Sequence, residues 1–238
     1  MLISIVIPAR QEAQSIGRLL AELARESEPH EVIVVDAAST DATAEIARAA
    51  GARVLLAQYG RGAQLAAGAA AARGDILLFL HADARFPCGG LRAIRAALGR
   101  SAESPGGNFR LLFDGEEPFS RWLGRFYAFI RRAGLMYGDS GIFVRHGAYS
   151  RAGGFRLLEV MEDHDFVRRL KRIGPLINIA DPPLVTSSRR FAGRRPMEIV
   201  ARWLLIHAMY HLGVSGSAMA RVYDRKAGAT PRPVNARR

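Results

Sequence analysis

The stretch Gly74–Ala84, GDILLFLHADA, narrows the possible folds of this chain more than any other. Its apolar run, Ile76 to Leu80, ends abruptly in a polar tip that carries His81 and Asp83. A short strand without polar alternation has to be covered on both faces, a condition met in a parallel sheet with helices on each side. Ligands of such sheets gather outside the carboxyl ends of the strands. Asp83 therefore stands where an acid either caps the next turn or holds a divalent cation against a phosphorylated ligand, because hard cations prefer carboxylate and phosphate oxygens.

The first hundred residues alternate strand and helix signals. Leu2–Pro8 reads as a strand and Ala13–Ser27 as an amphipathic helix with Ile16, Leu19, Leu20 and Leu23 on one face. Glu31–Asp36 is a second strand, and Ser39 and Thr40 are placed to cap a helix over Asp41–Ala50. Ala52–Ala57, Ala63–Arg73 and Asp75–Leu80 continue as strand, helix, strand. This rhythm implies βαβ units and a parallel sheet. Beyond Pro87 the order becomes α+β: a helix over Leu91–Leu98, a strand over Gly107–Asp114, a helix over Phe119–Leu135, a strand over Ser140–Val144, a helix over Met161–Ile173, a strand over Pro175–Ile179 and a closing helix over Met197–Leu212. With no repeat and no clear linker, residues 1–224 are expected to form one domain, followed by a basic tail, 225–238, of disordered composition.

The single cysteine, Cys88, excludes an internal disulfide and a cysteine-based zinc cluster, which fits a reducing compartment. The N-terminus reads as a first strand rather than a signal peptide, and no segment approaches the roughly 18 to 20 apolar residues of a spanning helix. A cytoplasmic protein that can still lie on a membrane is expected. Lys and Arg number 34 against 22 Asp and Glu, a net charge of +12. That excess favours polyanionic partners: nucleic acid, anionic lipid or phosphorylated small molecules.

Acids recur at the strand tips. VIVVDAASTDAT ends the second strand in Asp36, with Asp41 in the following turn. Acids at two strand ends suggest a pocket for a nucleoside diphosphate, Asp36 meeting base or ribose and Asp41 capping the helix. The dinucleotide fingerprint is absent, because Gly60-Arg61-Gly62-Ala63-Gln64-Leu65 has a leucine at the third glycine position. No Gly-Lys-Ser/Thr triplet marks a P-loop either. Arg61 still brings a guanidinium to the mouth of a helix, either as a phosphate contact or as one of many surface arginines. In Met161-Glu162-Asp163-His164-Asp165 the acids open a helix, where they either complement its dipole or supply a general base.

Five blocks occur in the order found in family-2 glycosyltransferases with the GT-A fold: SIVIPARQEAQSIG, VIVVDAASTDAT, RGAQLAAGAAAARGDILLFLHADA, GIFVRHGAYSRAGGF and MEDHDFVRRLKRIG. The chain resembles that family over residues 3–190, and most of all its compact selenodomain-associated subgroup. The resemblance implies an α/β fold with a mostly parallel central sheet flanked by helices. It also implies inverting transfer of a sugar from a nucleoside diphosphate, UDP favoured, to a hydroxyl. Carried over to this sequence, Asp36 binds the nucleoside, Asp83 coordinates Mg²⁺ or Mn²⁺ on the diphosphate, and Asp163 is the base with Glu162 beside it. Arg61 faces the diphosphate; Pro8, Arg10, Glu12, Gln64 and His81 complete the donor contacts; Gly153-Gly154-Phe155 lies beneath the acceptor; and Asp139-Ser140-Gly141 meets sugar or acceptor.

The sequence departs from the family pattern in places. Asp36 is followed by Ala37 where paired acids are usual, and His81-Ala82-Asp83 replaces Asp-x-Asp. Arg189 and Arg190 stand where larger relatives carry a basic motif and are further candidates for diphosphate contact. In the aromatic helix, Phe119, Trp122, Leu123, Phe126, Tyr127 and Ile130 share a stripe with arginines 121, 125, 131 and 132 off its centre. That helix and the closing one either cover the sheet, line a homodimer contact, or meet a lipid-linked acceptor at the membrane surface. Two other classes stay in view. A nucleotidyltransferase making NDP-sugars would carry a glycine-rich basic loop where Pro8-Ala9-Arg10-Gln11-Glu12-Ala13 stands. A nucleic-acid-binding protein would show an arginine face with exposed aromatics, and the acidic strand tips oppose it.

Overall fold

The computed structural model describes residues 1–57, 60–115, 118–132, 136–188 and 195–223. Strands β1 (Ile3–Ala9), β2 (His30–Asp36), β3 (Arg53–Leu56), β4 (Ile76–Phe79), β5 (Gly106–Phe113), β6 (Ile142–Arg145) and β7 (Ile177–Thr186) form one sheet in the order β3-β2-β1-β4-β6-β5-β7. The first four are mutually parallel. Strand β6 runs antiparallel to both β4 and β5, and β7 closes the edge parallel to β5.

Burial on both faces follows from the apolar runs. On β1, Ile3, Ile5 and Ile7 point to one side and meet α1 (Ile16–Leu23) and α4 (Gly90–Arg100) through Leu19, Leu23, Leu91 and Ile94. On the other side Val6, Ile33, Val35, Leu77 and Phe79 meet α3 (Arg61–Ala71) and α7 (Glu162–Leu170) through Leu65, Phe166 and Leu170. Each such side chain contributes roughly 1.5–3 kcal/mol on burial, before its entropy cost. Helix α3 lies so close to the sheet that a Cβ on Gly68 would sit 2.3 Å from Val6 Cγ1. Pro8 fits within β1 because β4 has ended beside it: Leu80 N–H donates to Val6 O at 3.1 Å, and by alternation the proline nitrogen faces the side past that bond.

Several expectations need correction. Ser39 and Thr40 do not cap α2 (Thr43–Ala49); their hydroxyls serve Gln11, and Asp41 Oδ1 accepts the Thr43 N–H at 3.1 Å. Strand β7 does not stop at Ile179 but continues through Pro182 and Pro183, which an edge strand tolerates. Helix α5 spans Pro118–Arg132, residues 133–135 lying outside the described ones. A six-residue helix, α6 (His146–Arg151), is too short to carry a periodic signal. Helix α8 (Pro196–His211) is followed by α9 (Gly216–Tyr223), so it is not the last. The basic tail, 225–238, lies outside the described residues. Among those described, no helix is long and apolar enough to cross a membrane.

Candidate active site

The loops beyond β1 and β2 are tied to each other. Gln11 Oε1 accepts the N–H groups of Thr40 and Asp41 at 3.0 and 3.2 Å, and its Nε2 donates to Thr40 Oγ1 at 2.8 Å. Asp36 is buried, and its two carboxylate oxygens accept the Ser39 N–H and hydroxyl, which shapes the turn. Gln64 is also buried and bridges the two strand ends, its Nε2 donating to Ala9 O at 3.0 Å and Val35 O at 2.7 Å. Among the described residues, the non-glycine positions with positive φ are Gln11, Ala38 and Met161, all in loops that shape this end of the molecule. Such strain persists where the surrounding structure over-determines it, and it concentrates at functional sites.

An open cleft lies beyond the carboxyl end of β4. Arg61, His81, Asp83, Asp139 and Asp163 line it. Arg61 opens α3, where a Cβ at the next residue, Gly62, would stand 2.4 Å from the Arg156 carbonyl oxygen, so only glycine lets the helix start this close to that loop. The left-handed Met161 turns the chain into α7 and brings its acids to Arg61. Arg61 Nε pairs with Glu162 Oε1, Nη2 lies 3.6 Å from Asp163 Oδ2, and Nη1 lies 3.5 Å from His81 Nε2. Burial opposes the charge on Arg61, but Glu162 and Asp163 outweigh it and hold the guanidinium protonated.

The two acids part company. Glu162 has no exposed surface, its Oε2 has no hydrogen-bond partner among the described residues, and burial pushes its carboxyl up despite Arg61. Burial acts on Asp163 too, but Arg61 and the N–H groups of Gly138 and His164, each at 2.7 Å, bring it below the ordinary carboxylate range. A Cβ on Gly138 would come within 3.3 Å of Asp163 Oδ2, so the backbone donor approaches closely because the residue is glycine. Asp163 is thus an ionised proton acceptor facing a cleft, with a cation beside it. The third acid, Asp165, is engaged by Arg169 Nε at 2.9 Å and Tyr210 OH at 2.9 Å. Among the described residues no group of three His, Cys, Asp or Glu side chains is placed to hold a metal ion by itself. Asp83, with His81 on the same wall, offers the hard oxygen on which an ion shared with a diphosphate could rest.

The rest of the lining is mostly apolar and aromatic, with Arg202 among it. Helix α8 contributes Ile199, Trp203, Ile206 and His207; Phe113, Phe126, Tyr127 and Tyr137 continue it. Trp203 Nε1 donates to Tyr137 OH at 3.0 Å, and Tyr137 OH lies 2.9 Å from His207 Nε2. Because His207 Nδ1 faces the Trp203 carbonyl at 2.9 Å, the hydrogen-bond pattern assigns the neutral ring's proton to Nδ1, so the Tyr137 hydroxyl donates to Nε2. Burial lowers His207 and raises Tyr137. His164, buried behind them, falls to about 4 through burial and the neighbouring His207.

The fold therefore brings together Arg61, His81, Asp83 and Asp163, with Glu162 behind them. Asp36, Gln64, Pro8, Arg10 and Glu12 are at or near the ends of β1 and β2 or braced against them, outside this cleft's lining. Arg189 and Arg190 lie outside the described residues. Ser140 is buried and holds the turn at residues 138–140 by donating to Tyr137 O at 2.6 Å, leaving Asp139 on the cleft. Sequence reasoning missed Tyr137 and His207. Nothing local marked either one: the inner positions Ile199, Trp203 and Ile206 of α8 are matched by equally apolar outer ones, and Tyr137 stands in no periodic run.

Residues 4–153 match the family model "Glycosyl transferase family 2". The chain is 40% identical over 89 residues to 4,4'-diaponeurosporenoate glycosyltransferase of Staphylococcus haemolyticus, a match spanning 34% of this chain and 24% of that protein. It is 45% identical over 53 residues to the Staphylococcus aureus enzyme of the same name, 22% of this chain and 14% of that one. The chain thus spans a quarter or less of these relatives. Among solved structures, S. aureus TarS superposes with a TM-score of 0.64 at 17% identity, over 94% of this chain and 42% of TarS. A mannosyltransferase from Pyrobaculum calidifontis, solved with GDP-Man and Mn²⁺, gives 0.62 at 21% identity, over 95% and 65% of the two chains. Glucosyl-3-phosphoglycerate synthase from Mycobacterium tuberculosis, solved with Mn²⁺, UDP and glucosyl-3-phosphoglycerate, gives 0.59 at 21%, over 89% and 80%. The shared architecture is that of GT-A glycosyltransferases, and with well over half of its length matched by the family model, the chain belongs to glycosyl transferase family 2.

Proposed function

We propose that this chain moves a sugar from a nucleoside-diphosphate sugar, a uridine one by preference, to a hydroxyl of a partly apolar acceptor, with inversion at the anomeric carbon. The observation that carries the reading is Asp163, an ionised carboxylate that faces one cleft together with Arg61 and Asp83. Of the α7 acids only Asp163 lines that cleft, Glu162 and Asp165 being engaged by Arg61, Arg169 and Tyr210. A single base suits a single displacement. The acceptor hydroxyl gives its proton to Asp163, its oxygen bonds to the anomeric carbon, and the sugar–phosphate bond breaks with its electron pair leaving on the diphosphate. Arg61 meets the developing charge on that leaving group.

Mg²⁺ or Mn²⁺ fits a donor set in which Asp83, with His81 adjacent, supplies protein contact and the diphosphate supplies further oxygens. When bound, the ion neutralises diphosphate charge. The nucleoside end is proposed for the loops around Asp36 and Pro8–Glu12, held in shape by Gln64, with residues 1–224 as one catalytic domain. The acceptor faces the Trp203 wall. Its apolar character suits a chain whose relatives are named for glycosylating diaponeurosporenoate. A thermal-shift panel of UDP, GDP and dTDP sugars with and without Mn²⁺ tests the reading. A uridine nucleotide should raise the melting temperature, and Asp83→Ala should remove the Mn²⁺-dependent part; no shift with any nucleotide overturns it.

A further inference from the structure

Helix α8 is apolar on two opposite faces, with Glu198, Arg202 and His211 at the borders between them. Its inner face buries Ile199 and Ile206, with Trp203 on the cleft wall. Its outer face carries Met197, Ala201, Leu204, Leu205 and Ala208, continued by Leu212 at the C-cap, all exposed, at spacings of one helical stripe. The exposure is large: 78% for Met197, 55% for Leu204, 50% for Leu205 and 80% for Leu212. This stripe extends about 22 Å along the helix. An exposed apolar stripe of this length, on a helix whose other apolar face is already buried, calls for a cover of its own.

Charge indicates what covers it. Helices α5, α8 and α9 together contain one acid, Glu198, against a series of arginines. Arg121, Arg125, Arg195 and Arg221 are exposed on or beside these helices. On α5, Phe129 is 69% exposed, and that helix reaches α8 through Phe126 and Trp203, whose rings are 6.0 Å apart. A second copy of the chain would set +12 against +12. An anionic bilayer attracts the same arginines and buries the same leucines. At 16 residues α8 falls short of the roughly 20 that span a bilayer, so it lies in the interface plane.

We propose that the outward face of α8, flanked by the arginines of α5 and α9, docks on an anionic phospholipid bilayer. The docking stands apart from the transfer reading; only its use, to bring an apolar acceptor to the cleft wall built by the other face of the same helix, rests on that reading.

Flotation of the full chain with phosphatidylglycerol–phosphatidylcholine vesicles, beside vesicles of phosphatidylcholine alone, tests the surface. The wild type should float with the anionic vesicles and far less with the neutral ones. Leu204→Glu/Leu205→Glu should lower the vesicle-bound fraction about tenfold, whereas Leu56→Glu, on the opposite sheet edge, should float as the wild type does. Wild-type protein that stays at the bottom, or a double variant that floats unchanged, overturns the proposal. So does a wild-type dimer in sedimentation that the double variant dissolves without any vesicle binding, since the face then belongs to a second copy. The nucleotide-induced thermal shift, measured on the same double variant, should persist. Flotation without any such shift in either protein would sink the transfer reading and leave the docking surface standing.

Discussion

Arg61 and the two acids it meets concentrate most of the buried charge in the cleft, and their sensitivity to substitution follows from desolvation. Glu162→Ala removes the nearer of the two acids that hold a largely buried guanidinium; with Asp163 still 3.6 Å away, it should destabilise by less than the about 3–5 kcal/mol of a fully broken buried pair. Urea denaturation measures it, and Glu162→Gln, which keeps an acceptor oxygen, should cost clearly less. Asp163→Asn should leave the nucleotide-induced thermal shift in place and lower kcat by about 10²–10⁴-fold, the range expected for loss of a general base. Since Arg61 and two N–H donors hold the Asp163 carboxyl low, wild-type kcat/KM should stay level as pH falls through the ordinary carboxylate range. Asp163, Asp83 and Arg61 were legible in the sequence because strand tips and helix mouths are set by local patterns. Gln64 was picked out only through the family resemblance and as a donor contact; its bridging of two strand ends was not legible, because only the meeting of β1 and β2 supplies the carbonyls that engage it.

At the level of elements, the link between α8 and the turn at residues 138–140 runs through Tyr137. Its hydroxyl holds Trp203 and His207, and the next residue, Gly138, donates to Asp163. Tyr137→Phe leaves the Trp203 N–H and the His207 nitrogen without their partner and should destabilise by about 1–3 kcal/mol, read by chemical denaturation. Helix α7 carries a pH dependence as well. His164 is held near 4 when folded against an ordinary 6.5, so the unfolded chain binds more protons between those values, and stability should fall as pH drops from about 6.5 to about 4. His207, also lowered, adds in the same sense; Glu162, raised by burial from its ordinary 4.5, acts oppositely from that pH upward. His164→Gln should flatten the stability profile in that window. The sequence offered both the aromatic helix and the closing one as covers for the sheet, dimer contacts or membrane contacts. The fold buries Leu123 and Ile130 of α5 and leaves the broader apolar face on α8, because α8 borders the cleft on one side and has no sheet on the other.

For the molecule as a whole, a +12 chain meeting a diphosphate should associate faster at low ionic strength. KM for the nucleotide sugar should therefore rise as salt is added, with kcat changing far less; a salt-independent KM would remove long-range charge from donor capture. The parallel half of the sheet, the order of its elements and the acids at its strand ends were all readable from residue order. Burial on both faces and the chemistry of turns are written into runs of a few neighbouring residues. The pairing of Arg61 with Glu162, 101 positions apart, was not readable in this way, nor was the aromatic wall or the side of α8 that faces outward. A helix with two opposite apolar faces carries no periodic signal for which one is buried, and a buried cation carries none for its partner. Both choices were made by the packing of the whole chain.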